Sequence, residues 1–316
     1  MKVIISDCDH ASLEIEYNVL NSANVKYELQ QNKTEEDLIR NCQEAEIILN
    51  QYAPFTERVF KSLSKLKLIV RYGVGVNNID LNAATKHGVQ ICNVPDYGIQ
   101  EVADHALALM LALTRKVILM NTEVKSGNWD YQKSIPIYRH QEQTVGIIGL
   151  GRIGSAFATK VRALGMNVIA YDPSKQQEKI KDNLQFVTLK TFEEVLKESD
   201  VISIHCPSDQ AYHLFNEQTI QLMKRNSYIV NVSRGGIIDE TALFKALING
   251  VIAGAALDVS EKEPIEKDTQ LLSLEQVICT PHMAWYSEQA SQELKRKVAE
   301  EAVRFAQGKQ IYYPIN

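Results

Sequence analysis

The sequence predicts an α/β protein of two doubly wound, parallel-sheet domains, the first of them discontinuous in the chain. Three observations predict it. Short apolar runs alternate with segments of helical spacing over most of the length, the pattern of crossover helices on a parallel sheet. One such unit, 144–172, is complete: an apolar run at 145–148, a glycine turn, a helical segment with Ile153, Phe157, Val161 and Leu164 on one face, and a second apolar run at 168–171. Finally, 316 residues are more than one core ordinarily holds.

The first domain reads as strands at 3–6, 26–29, 47–49, 67–71 and 89–93, with helices at 13–21, 34–40 and 81–87. Thr34 stands three residues before Asp37, the spacing of a capping box. Residues 71–80, RYGVGVNNID, follow the fourth strand directly. Two glycines two apart at a strand's carboxyl end let backbone amides point into the crevice where α/β ligands bind, and amides there can grip a carboxylate. The longest helical pattern, 101–119, carries Val102, His105, Leu109 and Ala112 along one face and is expected to cross between the domains. Residues 126–143, with Trp129, Tyr131, Tyr138 and the breakers Gly127 and Pro136, read as an irregular aromatic arm. Such an arm suits an oligomer contact, and a homodimer is expected.

The second domain is expected to hold six strands, at 145–148, 168–171, 201–205, 228–232, 254–257 and 277–279, with helices at 189–198, 217–223 and 240–249. A last helix, 287–307, is expected to return to the first domain. The expected boundaries are therefore 1–98 with 285–316 for one domain and 99–284 for the other.

The glycine turn is Gly149-Leu150-Gly151-Arg152-Ile153-Gly154, a GxGxxG between strand and helix. The first glycine permits the tight turn, the second lets backbone approach a pyrophosphate, and the third lets helix pack on strand. Amides at the helix start then face the phosphates, with the helix dipole behind them. Asp172 closes the next strand, where an acidic side chain binds both hydroxyls of an adenosine ribose. The second domain thus reads as Rossmann-like, with NAD as its cofactor and Gly149, Gly151, Arg152, Ile153, Gly154 and Asp172 against it.

Net charge is −5 without a basic run of nucleic-acid type, so no DNA or RNA partner is expected. The five cysteines are scattered with no CxxC pair, which fits a reducing cytoplasm. The N-terminus lacks the apolar core of a signal peptide, and no apolar run approaches the roughly 18 residues that span a bilayer. A cytoplasmic protein without a membrane partner is expected.

Three polar sites stand at strand ends of the second half. In 231–236, NVSRGG, Arg234 lies between a strand and two glycines, with its backbone held and its fork expected free for bidentate carboxylate recognition. Ser233 precedes it on the cofactor side. In 256–264, ALDVSEKEP, Asp258 ends a strand and Glu263 precedes a proline, while Glu261 and Lys262 read as solvated. In Thr280-Pro281-His282 the histidine is placed to titrate in a cleft. His205-Cys206-Pro207 suggests a cofactor-lining turn, His105 reads as structural, and His213 as a surface residue. A carboxylate beside a histidine favours the protonated ring and makes a general acid and base near neutral pH. With an arginine and a nicotinamide, the chemistry reads as carbonyl reduction by hydride. No metal is expected, since there is no HExxH and no His/Cys cluster with ligand spacing.

These motifs, in this order over nearly the whole chain, resemble the D-isomer-specific 2-hydroxyacid dehydrogenase family. The resemblance implies Arg234 on the substrate carboxylate and carbonyl, Glu263 paired with His282, and His282 as acid/base. It also implies Asp258 near the nicotinamide amide, and the Val74 and Gly75 amides on the carboxylate of a small 2-oxo or 2-hydroxy acid. The run 280–290, TPHMAWYSEQA, is similar to the branch containing the C-terminal binding proteins, NAD(H)-binding transcriptional co-repressors. Asn77 stands where many members carry Asp. The implied activity is an NAD-dependent exchange of a 2-oxo acid and a (D)-2-hydroxy acid. The alternative is an NAD(H)-sensing binding protein, which the intact Arg234, Glu263 and His282 and the lack of the co-repressors' long extensions disfavour. Trp285, three residues after His282, and Tyr52, after the third strand, are expected to wall the substrate's distal end.

Overall fold

The computed structural model describes residues 1–175, 180–208 and 211–316. It divides into two compact units, Met1–Gly98 with Ser287–Asn316, and Ile99–Tyr286.

The first unit runs β1 (Lys2–Ile5), α1 (Glu14–Ser22), β2 (Lys26–Leu29), α2 (Glu35–Asn41), β3 (Ile47–Asn50), α3 (Glu57–Ser62), β4 (Leu68–Arg71), α4 (Leu81–Lys86) and β5 (Gln90–Cys92). Its five strands are all parallel, in the order β2-β1-β3-β4-β5. β3 is buried along its whole length, as an apolar central strand covered on both faces must be, whereas β2 at the edge is largely exposed. Thr34 and Asp37 form the capping box in full. The C-terminal helix Glu288–Ala306 packs on α1, β3 and β4. The helix α3 is an addition to the sequence reading, where six residues are too few to show a period.

The second unit runs α5 (Ile99–Thr114), α6 (Val117–Lys125), β6 (Thr144–Ile148), α7 (Arg152–Ala163), β7 (Asn167–Tyr171), β8 (Thr188–Leu189), α8 (Phe192–Glu198), β9 (Val201–Ile204), α9 (Glu217–Ile220), β10 (Tyr228–Asn231), α10 (Glu240–Ile248), β11 (Gly254–Leu257) and β12 (Val277–Cys279). The parallel sheet has the order β12-β11-β10-β9-β6-β7-β8. α5 and α7 cover one face with Ala103, Met110, Phe157 and Val161, and α8 and α10 the other with Val195, Leu196 and Leu243.

Several expectations are corrected here. Among the described residues the sheet has seven strands, the addition being the two-residue edge strand β8, too short to carry a sequence pattern. The single helix expected over 101–119 is two, broken where Lys116 turns left-handed at φ 52° without a glycine or proline to mark it. α5 lies wholly in the second unit and does not cross between units. Leu109 of the expected stripe is buried, and the rest of the buried face, Ala103, Ala106, Met110 and Leu113, lies one residue on from it, against α7.

Candidate active site

Strand register gathers the second unit's candidate residues along one edge. Ile148 pairs with Tyr171 and Ile204, Ile204 with Asn231, Asn231 with Leu257, and Leu257 with Cys279. The turns that follow these strand ends carry Gly149, Asp172, His205, Ser233 with Arg234, Asp258 and His282. The chain order reverses between β6 and β9, the switch point at which open α/β sheets bind their ligands.

The glycine turn fits a dinucleotide pyrophosphate. Gly149 has φ +92°, and a Cβ there would lie 2.8 Å from the Cys206 amide nitrogen; one at Gly154 would lie 2.1 Å from the Gly149 carbonyl oxygen. Space is open around Gly151, and α7 starts from it with no side chain capping its first amides. Those amides therefore remain for an anion. Asp172 accepts from the Leu150 amide (2.8 Å) on one oxygen and from the Ser174 amide (2.9 Å) and hydroxyl (2.7 Å) on the other. The acid is thus locked to the turn it serves, with lone pairs remaining for a hydroxyl. Arg152 and Ile153 open α7. The His205-Cys206-Pro207 turn lies directly against Gly149. His205 packs its ring 5.0 Å from Phe157 and meets the Ser203 hydroxyl at 2.9 Å, and burial pushes it down to about 3, so the ring is neutral. Burial pushes the Cys206 thiol up to about 11, which leaves it unreactive.

His282 Nδ1 lies 2.6 Å from Glu263 Oε2. Burial alone would push the Glu263 carboxyl up; the hydrogen bond and charge of His282, the Ser260 amide and the Arg234 charge outweigh it and hold it below the ordinary range. Arg234 is backed by the buried Asn231, whose amide group donates to the Arg234 carbonyl and whose oxygen accepts from the Ser233 amide. The Ser233 hydroxyl donates to the Cys206 carbonyl and so ties this turn to the cofactor side. The Arg234 fork is not wholly free as expected, because Nη1 donates to the Ser233 carbonyl at 2.7 Å. Asp258 is buried and accepts from the Thr280 hydroxyl (2.6 Å) and the Met283 and Ala284 amides, with His105 at 3.5 Å. Burial pushes its carboxyl up, yet these donors together hold it below the usual range. Trp285 is half-buried, edge-on to the exposed Tyr286 at 5.5 Å. Glu261 is exposed, as expected, and also meets His213 at 2.7 Å. Among the described residues there is no cluster that could hold a metal ion, and no helix is long and apolar enough to cross a membrane.

In the first unit, the turn with Val74 and Gly75 follows β4, and the Val74 carbonyl is held by Asn93 at 2.6 Å. Arg71, the last residue of β4, lays its guanidinium against Gly73. The buried Asp7 accepts from the amides of Gln51, Tyr52 and Ala53 and so fixes the loop that presents Tyr52. The Tyr52 hydroxyl donates to Asp9 at 3.2 Å. Neither aspartate is marked in the sequence, since their partners lie about 40 residues away along the chain.

The family model described as D-isomer specific 2-hydroxyacid dehydrogenase, NAD binding domain, matches residues 107–284. The chain belongs to this family. It is 37% identical over 318 residues to a D-3-phosphoglycerate dehydrogenase of Archaeoglobus fulgidus, covering all of this chain and 59% of that relative. The chain thus spans little more than half the length of that curated relative. A glyoxylate reductase of Korarchaeum cryptofilum is 38% identical over 260 residues, 81% of this chain and 77% of the relative. Among solved structures, a D-lactate dehydrogenase of Aquifex aeolicus complexed with NAD and lactic acid superposes with a TM-score of 0.89 at 29% identity, over 97% of this chain and 96% of that one. Both domains and their parallel sheets are those of the dehydrogenase fold, and the second unit is the family's NAD-binding domain.

Proposed function

We propose that this chain interconverts a 2-oxo acid and a (D)-2-hydroxy acid with NAD(H). The observation that carries the reading is the His282–Glu263 pair, 2.6 Å apart beside the charge of Arg234, on the same sheet edge as the glycine turn. When bound, NADH supplies the hydride. His282 gives its ring proton to the carbonyl oxygen as that oxygen gains charge, and takes a proton back in the reverse direction. Glu263 orients the ring through Nδ1 and stabilises its cation, which leaves Nε2 as the atom that moves the proton. We assign to Arg234 the polarised carbonyl and substrate carboxylate, and to the Val74 and Gly75 amides the carboxylate. Asp172 suits the ribose hydroxyls of NAD and repels a 2′-phosphate, so NAD is the expected cofactor over NADP.

The alternative of an NAD(H)-sensing binding protein finds no support among the relatives, which are named as dehydrogenases and reductases. A homodimer in the cytoplasm is the assembly we infer. Its support is the run of exposed apolar side chains on α6 and the arm, including Val117, Trp129 (89% exposed), Tyr131 (74%) and Ile135 (62%). Loss of NADH absorbance with a panel of 2-oxo acids tests the activity; no turnover with any of them overturns it.

A further inference from the structure

Two arms of backbone deliver the acid/base pair, and each has its own anchor. His282 is delivered by the turn that Asp258 holds. Glu263 is delivered by the loop 258–264, and the anchor of that loop lies elsewhere, at the start of α10. Glu240 Oε1 accepts from the Ser260 hydroxyl and from the Glu261 amide, both at 2.7 Å. In return the Glu240 amide donates to Glu261 Oε1 at 3.4 Å, which also meets His213 at 2.7 Å. The two glutamates thus exchange amide and carboxylate as the partners of a capping box do, but across 21 residues of chain. The Ser260 amide then donates to Glu263 Oε1 at 3.2 Å, which leaves Oε2 for His282.

The same loop is pressed onto the Arg234 turn. A Cβ at Gly235 would lie 1.9 Å from the Ser260 carbonyl carbon and 2.4 Å from the Glu261 nitrogen. Only glycine admits that approach, so the turn that follows Arg234 and the loop that precedes Glu263 form one packed piece. The charged groups around Glu263 are His282 and Arg234, and those around the anchor are Glu240, Glu261, His213 and Asp239.

We propose that Glu240 is a positioning residue of the reaction: through Ser260 and Glu261 it sets the orientation in which Glu263 meets His282. This rests on the acid/base reading above. Removing Glu240 frees Ser260 and Glu261 and lets the Glu263 carboxylate swing off the histidine, without touching substrate or cofactor.

The test compares Glu240→Ala, Glu240→Gln and Ser260→Ala with the wild type, reading turnover against pH and the titration of the Glu263 carboxyl carbon by NMR. Glu240→Ala is expected to lose roughly tenfold in kcat, as a displaced catalytic group does, with NADH affinity unchanged and the Glu263 midpoint moved up. Glu240→Gln keeps an acceptor at Oε1 and restores most of both. Ser260→Ala removes one donor only, leaves the fold intact and shifts both readouts the same way by less. An unmoved Glu263 midpoint in Glu240→Ala overturns the proposal even if turnover falls; should that variant not fold, an unmoved midpoint in Ser260→Ala does so. A wild type without turnover on any 2-oxo acid would defeat the activity reading, while the NMR titration still decides the anchor.

Discussion

The amide of His282 donates to the carbonyl of Asp258 at 2.8 Å, and the Asp258 carboxylate takes the amides of the next two residues, Met283 at 3.0 Å and Ala284 at 2.9 Å. Three successive amides therefore converge on one residue, and His282 is left-handed at φ 51° to let them do so. That conformation costs a non-glycine residue about 1 kcal/mol, which charge-assisted hydrogen bonds to a buried carboxylate readily offset. The resemblance to the family put Asp258 against the cofactor; the geometry gives its oxygens a second task, holding the histidine turn.

Asp258→Asn turns one acceptor into a donor facing an amide that needs an acceptor. It is expected to lower unfolding free energy by roughly 2–3 kcal/mol, since a buried group loses its partner, and to reduce kcat. Urea denaturation and NADH titration separate the two tasks. An unchanged urea midpoint with weakened NADH binding would leave only the cofactor role.

Burial pushes the Glu263 carboxyl up, yet the hydrogen bond and charge of His282, with the Ser260 amide and the Arg234 charge, hold it below the usual carboxylate range. Glu263→Gln keeps the shape but removes the carboxylate that holds the His282 ring at 2.6 Å, so turnover in both directions should fall roughly tenfold or more, read from initial rates of NADH loss and formation. His282→Ala should lose roughly 10²–10⁴ in turnover with NADH still bound. Near-normal turnover in that variant would remove His282 from the mechanism.

Much of this was legible because the signals are local. The glycine turn, the Thr34–Asp37 capping box and the strand ends that carry Asp172, Arg234, Asp258 and His282 are all set by neighbours within a few residues. What was missed is non-local. Glu261 is exposed as expected, but its partners, His213 and Glu240, come from other turns and carry no local signal. Asp7 carried no signal because the three amides it collects belong to the end of another strand. The break at Lys116 has no sequence marker either, since a basic residue in a left-handed turn is a tertiary outcome.

His205 makes a pH prediction of the opposite sign to a salt-bridged histidine. Its folded ring stays neutral down to about 3, while an unfolded histidine takes a proton below its ordinary value of about 6.5. Between those values the unfolded chain holds more protons, so stability rises with pH and is lost as pH falls from about 6.5 towards 3. His205→Gln cannot take that proton, and its melting temperature should vary less between pH 6.5 and 4 than the wild type's. Parallel curves for the two proteins over that range would show that the ring is not held neutral.

The side-chain pocket yields the last prediction. Tyr52 is 61% exposed on a loop that Asp7 fixes, and its hydroxyl meets the Asp9 carboxylate. The loop 51–56 holds no lysine or arginine, and nearby Arg58 is engaged by Glu35 and Glu36, the latter at 2.5 Å. Arg71 does supply a cation, but its guanidinium lies against Gly73, beside the turn assigned to the carboxylate. On the proposed reading that Tyr52 faces the substrate's distal end, a phosphate there would meet its ring and the Asp9 carboxylate. An apolar group gains about 0.8 kcal/mol per methylene buried, close to fourfold in kcat/KM for each. Medium apolar 2-oxo acids are therefore expected to outrun glyoxylate and 3-phosphohydroxypyruvate. Trp285→Ala should shrink that gap by removing apolar surface, and Tyr52→Ala should act in the same direction. Measuring kcat/KM across the panel for the three proteins settles it: a preference for the phosphorylated substrate, or a gap untouched by both variants, means that these aromatics do not line the pocket.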